Sequence, residues 1–165
     1  MTEKQSKIGR KSRNKGKSFE RKMAIKHREW MPGTNWQTTR NSGRTDLPGD
    51  IFDMDGETIV LSECKHRQTW NVRGLTLGNT SYRNNRQEVI DGWAKVQKRY
   101  PILMIWAQNE FGLWLNTVTY DKCHDFRIND LWEIKAVLHG NGGIIWHLIG
   151  EPIGSPEEFK SVFYG

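Results

Sequence analysis

Apolar side chains recur with helical spacing in the first third of the chain. Four of them follow the steps i, i+4, i+8 and i+11 that define one helix face: Phe19, Met23, His27 and Trp30. Ser18 can cap this helix, and Pro32-Gly33 ends it after about Met31. Between Pro32-Gly33 and the next apolar segments, a short strand is expected at 36–39, followed by a turn-rich stretch over 40–49.

Three further helices are predicted. The first spans Asn85–Tyr100, where Asn85 and Glu88 form a capping box and a core stripe runs along one face: Val89, Trp93, Val96 and Tyr100. A short helix is expected from Asn129 or Asp130 to Leu138. The last begins at Ser155-Pro156-Glu157-Glu158, which combines a cap, a proline in the first turn and two acids.

Strands are predicted between these helices. Continuous apolar or alternating runs indicate strands at Ile102–Ala107, Leu113–Thr119 and Ile144–Ile149. Two more strand-like runs, 50–54 and 57–65, are joined by Asp55-Gly56, a pair typical of two-residue hairpin turns. The alternation of helices and strands predicts an α/β domain with a mixed sheet flanked by helices.

The hairpin brings charged side chains onto one face of the sheet. With Asp55-Gly56 as the turn, Asp50 lies opposite Leu61, and Glu63 is its diagonal neighbour. Glu63 and Lys65 are two residues apart, so their side chains project to the same side. Two neighbouring carboxylates repel each other and are costly to desolvate unless a cation lies between them. Mg²⁺ suits such a pair, whereas the alternative is a solvated ion pair between Glu63 and Lys65.

The positive charge is concentrated at the N-terminus. The chain of 165 residues has 25 Lys and Arg against 19 Asp and Glu, for a net charge of +6. Residues 1–17 contain seven basic residues and one acid, so the remainder is neutral. We therefore predict a flexible basic arm over 1–16 that binds DNA phosphates, with a solubilising tail as the alternative. The arm's candidate DNA-binding residues are Arg10, Lys11, Arg13, Lys15 and Lys17.

The composition also limits the class of protein. The longest apolar run is 102–107, far shorter than the ~20 residues that span a bilayer. Two cysteines do not form a disulfide framework, and no leader-like segment is evident. We expect a cytoplasmic protein without a membrane partner, in the bacterial host cytoplasm if it is phage-encoded.

Four separated motifs resemble the PD-(D/E)xK nuclease superfamily. They are Lys15–Arg21, Arg40-Asn41-Ser42-Gly43, Gly49-Asp50-Ile51 and Glu63-Cys64-Lys65. Within the superfamily the sequence is most similar to archaeal-type Holliday junction resolvases and related phage endonucleases. The similarity covers about 15–118, so we expect a single nuclease domain over 17–165 with a restriction-endonuclease-like fold. Residues 121–165 form an extension without an assigned counterpart.

The resemblance implies a set of functional residues. Glu20, Asp50, Glu63 and Lys65 take the catalytic positions, and Glu20, Asp50 and Glu63 would bind Mg²⁺ or its substitute Mn²⁺. The backbone carbonyl of Cys64 is a further candidate ligand, although its thiol points to the opposite face. Asp46 and Asp53 remain alternatives to Asp50, because the usual Pro-Asp is Gly49-Asp50 here. Candidate DNA contacts outside the arm are Arg21, Arg40, Ser42, Arg44, His66, Arg67 and Gln87.

The resemblance also implies an activity. We expect a Mg²⁺-dependent, structure-selective DNA endonuclease that acts as a homodimer on branched DNA and has no small-molecule substrate. A Holliday junction resolvase is the leading expectation, with 5′-phosphate products. A restriction-like or repair endonuclease on duplex, flap or nicked DNA is the first alternative, and a non-cleaving DNA-binding protein is the second.

Overall fold

The computed structural model describes residues 3–39, 49–67, 80–119 and 126–165, and for 3–7 and 80–85 it describes the backbone alone. Its helices are α1 (Glu3–Trp30), α2 (Thr80–Ala94) and α3 (Pro156–Tyr164). Its strands are β1 (Trp36–Thr38), β2 (Ile51–Asp53), β3 (Val60–His66), β4 (Ile102–Asn109), β5 (Gly112–Thr119), β6 (Trp132–His139) and β7 (Ile145–Pro152).

These strands form one mixed sheet in the order β1-β2-β3-β4-β5-β7-β6. β3 and β4 are parallel, with Val60 opposite Ile102 and His66 opposite Gln108. The other neighbouring pairs are antiparallel. A parallel pair needs a crossover connection, and α2 lies within that connection. The predicted α/β class with a restriction-endonuclease-like mixed sheet is confirmed.

Helices cover both faces of the sheet. The predicted stripe of α1 is buried against one face, where it meets large aromatic side chains from the strands and α3: Trp36, Trp106, Trp132, Phe159 and Phe163. On the other face, Trp93 of α2 packs with Leu61, Leu103 and Ile105. Because apolar contacts hold the sheet from both sides, the ends of β2 and β3 have a rigid base.

α1 begins at Glu3 rather than at Ser18. The helix therefore continues through the segment that we expected to be a flexible arm. Lys, Arg, Gln and Glu dominate that segment and have high helix propensity, and no proline interrupts it. The functional division into an arm at 1–16 and a domain at 17–165 stays a prediction.

The helix predicted up to Leu138 is wrong. A short 3₁₀ turn at Ile128–Asp130 leads instead into β6, which pairs with β7 along its length. The polar residues Glu133 and Lys135 alternate with apolar ones at the start of β6, where Trp132 is buried and Ile134 is half-buried. Tertiary pairing has thus overridden a local helix-capping signal.

The second predicted helix is shifted in its bounds. α2 ends at Ala94, and a turn continues the chain to Tyr100. The predicted stripe nevertheless packs as expected, because Trp93 Nε1 donates to Tyr100 O at 2.6 Å and both residues are buried. No helix in the described part of the chain is long and apolar enough to cross a membrane.

Candidate active site

β2 and β3 pair in a register that differs from a two-residue hairpin. Ile51 is opposite Ser62, whereas the tight turn predicts Val60. A shift of two residues leaves each side chain on its predicted face, because side chains alternate with a period of two. Asp50 N donates to Ser62 O at 2.9 Å, which brings Asp50 alongside Glu63.

Contacts with α3 explain the wider connection between the strands. Thr58 Oγ1 and Ile59 N both donate to Phe163 O, each at 2.7 Å. The Asp53 carboxylate accepts hydrogen bonds from the amides of Asn35 and Asp55 at 3.0 and 3.3 Å, and from the Tyr164 hydroxyl. The loop between β2 and β3 is therefore pinned to the C-terminal helix instead of closing at Asp55-Gly56.

These contacts separate the two aspartates of this region. Asp53 lies at the far end of β2 from Asp50 and uses both oxygens in bonds that hold the fold together. Asp50 lies at the opposite end, where β3 carries Glu63 and Lys65. Asp46, the other alternative ligand, lies outside the described residues.

Asp50 is buried in an unfavourable setting for a charge. It is 7% exposed, and its Oδ2 accepts one hydrogen bond, from Cys64 N at 2.8 Å. Burial, followed by repulsion from Glu63, raises the pKa of Asp50 to about 7. Burial and then repulsion from Glu63 also raise the pKa of Glu20, which lies on α1. The three carboxylates predicted from the sequence therefore act on one another in the folded protein.

Lys65 offsets part of this negative charge. Its Nζ lies 2.5 Å from Glu63 Oε1. Burial alone would lower the pKa of the Lys65 ammonium, but the paired carboxylate outweighs burial and raises it. Lys65 is thus a fixed, partly buried cation beside Asp50 and Glu63.

The donor set fits a magnesium ion that retains water ligands. Among the described residues, no three His, Cys, Asp or Glu side chains form a group that could hold a metal ion by themselves. Mg²⁺ commonly takes one or two carboxylates, with water and phosphate oxygens completing its octahedron. Asp50 and Glu63 meet that requirement. The raised pKa of Asp50 reflects its burial and then repulsion from Glu63, and a divalent cation would offset both.

Cys64 contributes through its backbone. Its side chain is 8% exposed and packs in the core beneath α1, as the alternation along β3 predicts. Burial raises the pKa of its thiol, so the sulfur is an uncharged core group. Its amide, which the sequence analysis did not assign, positions Asp50. Its carbonyl as a metal ligand stays a prediction.

The candidate DNA contacts are distributed over several elements. Exposed cations on α1 include Arg10, Lys11, Arg13, Lys15, Lys17 and Arg21. His66 is the last residue of β3, and its half-buried ring packs against Phe19 with the ring centroids 5.5 Å apart. The next residue, Arg67, is exposed. Gln87 is exposed on α2, where its Nε2 donates to Asp91 at 2.8 Å. Arg40, Ser42 and Arg44 lie outside the described residues.

One polar contact next to the site was missed from the sequence. Lys22 Nζ donates to Gln108 Oε1 at 3.1 Å, and Gln108 lies beside His66 in the sheet. Lys22 has no distinguishing motif, and Gln108 falls just past the predicted strand. Only the parallel pairing of β3 with β4 brings them together.

The match to a known family decides the class of this protein. The sequence profile described as phage putative PDDEXK endonuclease matches residues 11–125. The chain belongs to this family. It is therefore an endonuclease of the PD-(D/E)xK superfamily, and the class implies DNA as its substrate.

The family match includes the whole candidate site. Glu20, Asp50, Glu63 and Lys65 all lie within residues 11–125, whereas β6, β7 and α3 follow the matched segment. The predicted superfamily and the predicted likeness to phage endonucleases are confirmed, and the likeness to Holliday junction resolvases stays a prediction. No curated protein and no solved structure matches the chain.

Proposed function

We propose that this PDDEXK endonuclease is a Mg²⁺-dependent, structure-selective enzyme that resolves Holliday junctions by paired symmetric nicks. The observation that supports the metal site most strongly is the burial of Asp50 beside Glu63 and Lys65. Such a cluster is unfavourable for folding alone and is typical of sites tuned for chemistry.

Each residue would have a distinct role in hydrolysis. Asp50 and Glu63 would hold the ion, and Glu20 would bind it directly, through water or at a second ion. When bound, Mg²⁺ would supply the charge that activates water and stabilises the departing 3′ oxygen. Lys65 Nζ would donate to a nonbridging phosphate oxygen as negative charge grows there. In-line attack on the phosphodiester would leave a 5′-phosphate and a 3′-hydroxyl.

Substrate choice follows from the resemblance rather than from the site itself. Resolving a four-way junction requires two equivalent cuts, which a homodimer with twofold symmetry provides. The cluster of Glu20, Asp50, Glu63 and Lys65 would by itself support cleavage of any DNA duplex equally well. We therefore expect the selectivity for branches to lie in the DNA-binding surface and in the dimer.

The test compares an immobile four-way junction with a linear duplex built from the same arms, each with Mg²⁺, Mn²⁺ or EDTA. The proposal predicts paired symmetric nicks in the junction, with either metal and not with EDTA, together with a dimeric mass by light scattering. Equal cleavage of both substrates would overturn the junction assignment in favour of a restriction-like or repair endonuclease. Binding without cleavage would favour a non-cleaving DNA-binding protein.

A further inference from the structure

Between residues 10 and 22, the cations of α1 fall into two groups on opposite flanks of the helix. An α-helix turns by about 100° per residue. Counted from Glu20 in one direction, Arg13, Lys17, Arg10 and Arg21 fall at about 20°, 60°, 80° and 100°. Lys11, Lys22 and Lys15 fall at about 180°, 200° and 220°. We name the first group the arginine flank and the second the lysine flank.

Contacts at the sheet show which flank is next to the active site. Lys17 and Arg21 lie within one turn of Glu20 on α1, on the arginine flank. On the lysine flank, Lys22 reaches Gln108 on β4, two strands away from β2. The arginine flank therefore lies on the Glu20 side of α1, whereas the lysine flank lies on the side that contacts β4.

The N-terminal part of α1 offers this flank to a ligand. Residues 8–15 are exposed, and Phe19 is the first buried residue of the helix among those whose side chains are described. A Cβ built at Gly9 or Gly16 would meet nothing within 4 Å, so the described part of the protein does not cover the helix at these two positions. Helical order fixes the spacing of its cations, which a flexible arm would not do.

We propose that Arg10, Arg13, Lys17 and Arg21 form a rail that binds the phosphates of one DNA strand on one side of the cut. The rail extends the proposed endonuclease function and rests on it. It spans about 17 Å along the helix axis, close to the axial rise of five base pairs of B-DNA at about 3.4 Å each. Lys17 and Arg21 would bind the phosphates nearest the cleavage site, and Arg10 the farthest.

The test uses two charge-matched variants of the full chain. R10Q/R13Q removes two cations from the rail, and K11Q/K15Q removes two from the lysine flank of the same helical segment. Both carry Asp50→Asn to prevent cleavage, and circular dichroism checks that their helix content is equal. Fluorescence anisotropy then gives the affinity for a labelled duplex in EDTA as a function of salt concentration.

If the rail binds DNA, removing two positive charges from the arginine flank should weaken binding more than removing two from the lysine flank. R10Q/R13Q should lower the slope of log K against log salt by about 1.8 and weaken binding about tenfold or more. The proposed rail leaves out Lys11 and Lys15, which the sequence predicted as DNA contacts, so K11Q/K15Q should change the slope by about 0.5 or less. Equal losses in the two variants, with tight binding by the Asp50→Asn parent, would overturn the rail and leave the nuclease function standing. Absence of DNA binding by that parent would instead overturn the proposed function.

Discussion

At the scale of single residues, the site contains a carboxyl group that folding alone does not favour. Asp50 is buried, and the amide of Cys64 donates a hydrogen bond to its carboxylate. Glu63 is alongside it, and Lys65 is bonded to Glu63. The sequence could predict which residue types share this face, because alternation along a strand decides it. The degree of burial of Asp50 depends on packing that no local pattern reports.

Replacing Asp50 with Asn should stabilise the metal-free protein at alkaline pH. The pKa of Asp50 is about 7 when folded and 3.8 in its ordinary state. Protonation therefore favours the folded form, and this contribution is lost as pH rises from about 4 through about 7. At pH 8 we expect the variant's free energy of unfolding in EDTA to exceed the wild type's by roughly 1–3 kcal/mol. Chemical denaturation at pH 5 and pH 8 measures it.

Magnesium provides the control for this prediction. Mg²⁺ should stabilise the wild type at pH 8 and have little effect on Asp50→Asn, because the variant lacks a carboxylate ligand. A variant that is less stable than the wild type at pH 8 by the same margin as at pH 5 would show that the Asp50 charge is satisfied without a metal.

His27 is a second buried titratable residue, in the core rather than at the site. It is fully buried and stacks on Trp36 at a centroid distance of 4.4 Å, and neither ring nitrogen has a hydrogen-bond partner among the described residues. Burial lowers its pKa to about 3 from the ordinary 6.5. The folded state therefore holds the neutral ring, and the stability due to neutral His27 is lost as pH falls below about 6.5 toward 3.

His27→Phe should thus be less sensitive to acid. Between pH 7 and pH 5, the difference in unfolding free energy between variant and wild type should move in favour of the variant by about 2 kcal/mol. Taking the difference between two pH values cancels the packing change of the larger ring. A difference that does not vary with pH would contradict a buried neutral imidazole.

At the scale of elements, most of the fold follows from periodicity, and the exceptions have identifiable causes. The stripes of the first two helices and the start of α3 at Ser155 were predicted from local pattern and are observed. The capping box predicted at Asn85 is wrong, because α2 already begins at Thr80. β6 was predicted as a helix because the residues before it resemble a helix cap. Its pairing with β7 is a tertiary contact that the local sequence does not reveal. The β2–β3 register was missed because Phe163, a hundred residues further along the chain, sets it.

Glycine substitutions distinguish the exposed helix from the pinned loop. Gly16→Ala in α1 adds a methyl group with nothing within 4 Å and should stabilise the helix by roughly 0.4–1 kcal/mol. Gly56→Ala, the matched control, places a Cβ 2.3 Å from Asp53 Oδ2 and 2.6 Å from Tyr164 Cε1. It should cost roughly 1–3 kcal/mol. Helix content by circular dichroism and urea denaturation measure both; a loss of stability in Gly16→Ala would argue against an ordered α1 extension.

At the scale of the whole molecule, the C-terminal segment is part of the folding unit. β7 pairs with β5 and β6 with β7, and α3 contributes Phe159 and Phe163 to the core. The family profile ends at residue 125, and the sequence analysis left 121–165 without an assigned role. Its packing could not be predicted, because the aromatic contacts join residues distant in the chain. Motif order, by contrast, was enough to predict the superfamily.

The central claim is that Asp50, and not the neighbouring Asp53, carries the metal-dependent cleavage. Single-turnover cleavage of a labelled four-way junction in Mg²⁺ by wild type, Asp50→Asn and Asp53→Asn, each shown to be folded, tests it most directly. We predict that Asp50→Asn lowers the cleavage rate by about 10³-fold or more while DNA binding persists. Asp53→Asn should stay within about tenfold of the wild type, because its carboxylate serves Asn35, Asp55 and Tyr164. Cleavage that survives Asp50→Asn and is abolished in folded Asp53→Asn would contradict the account.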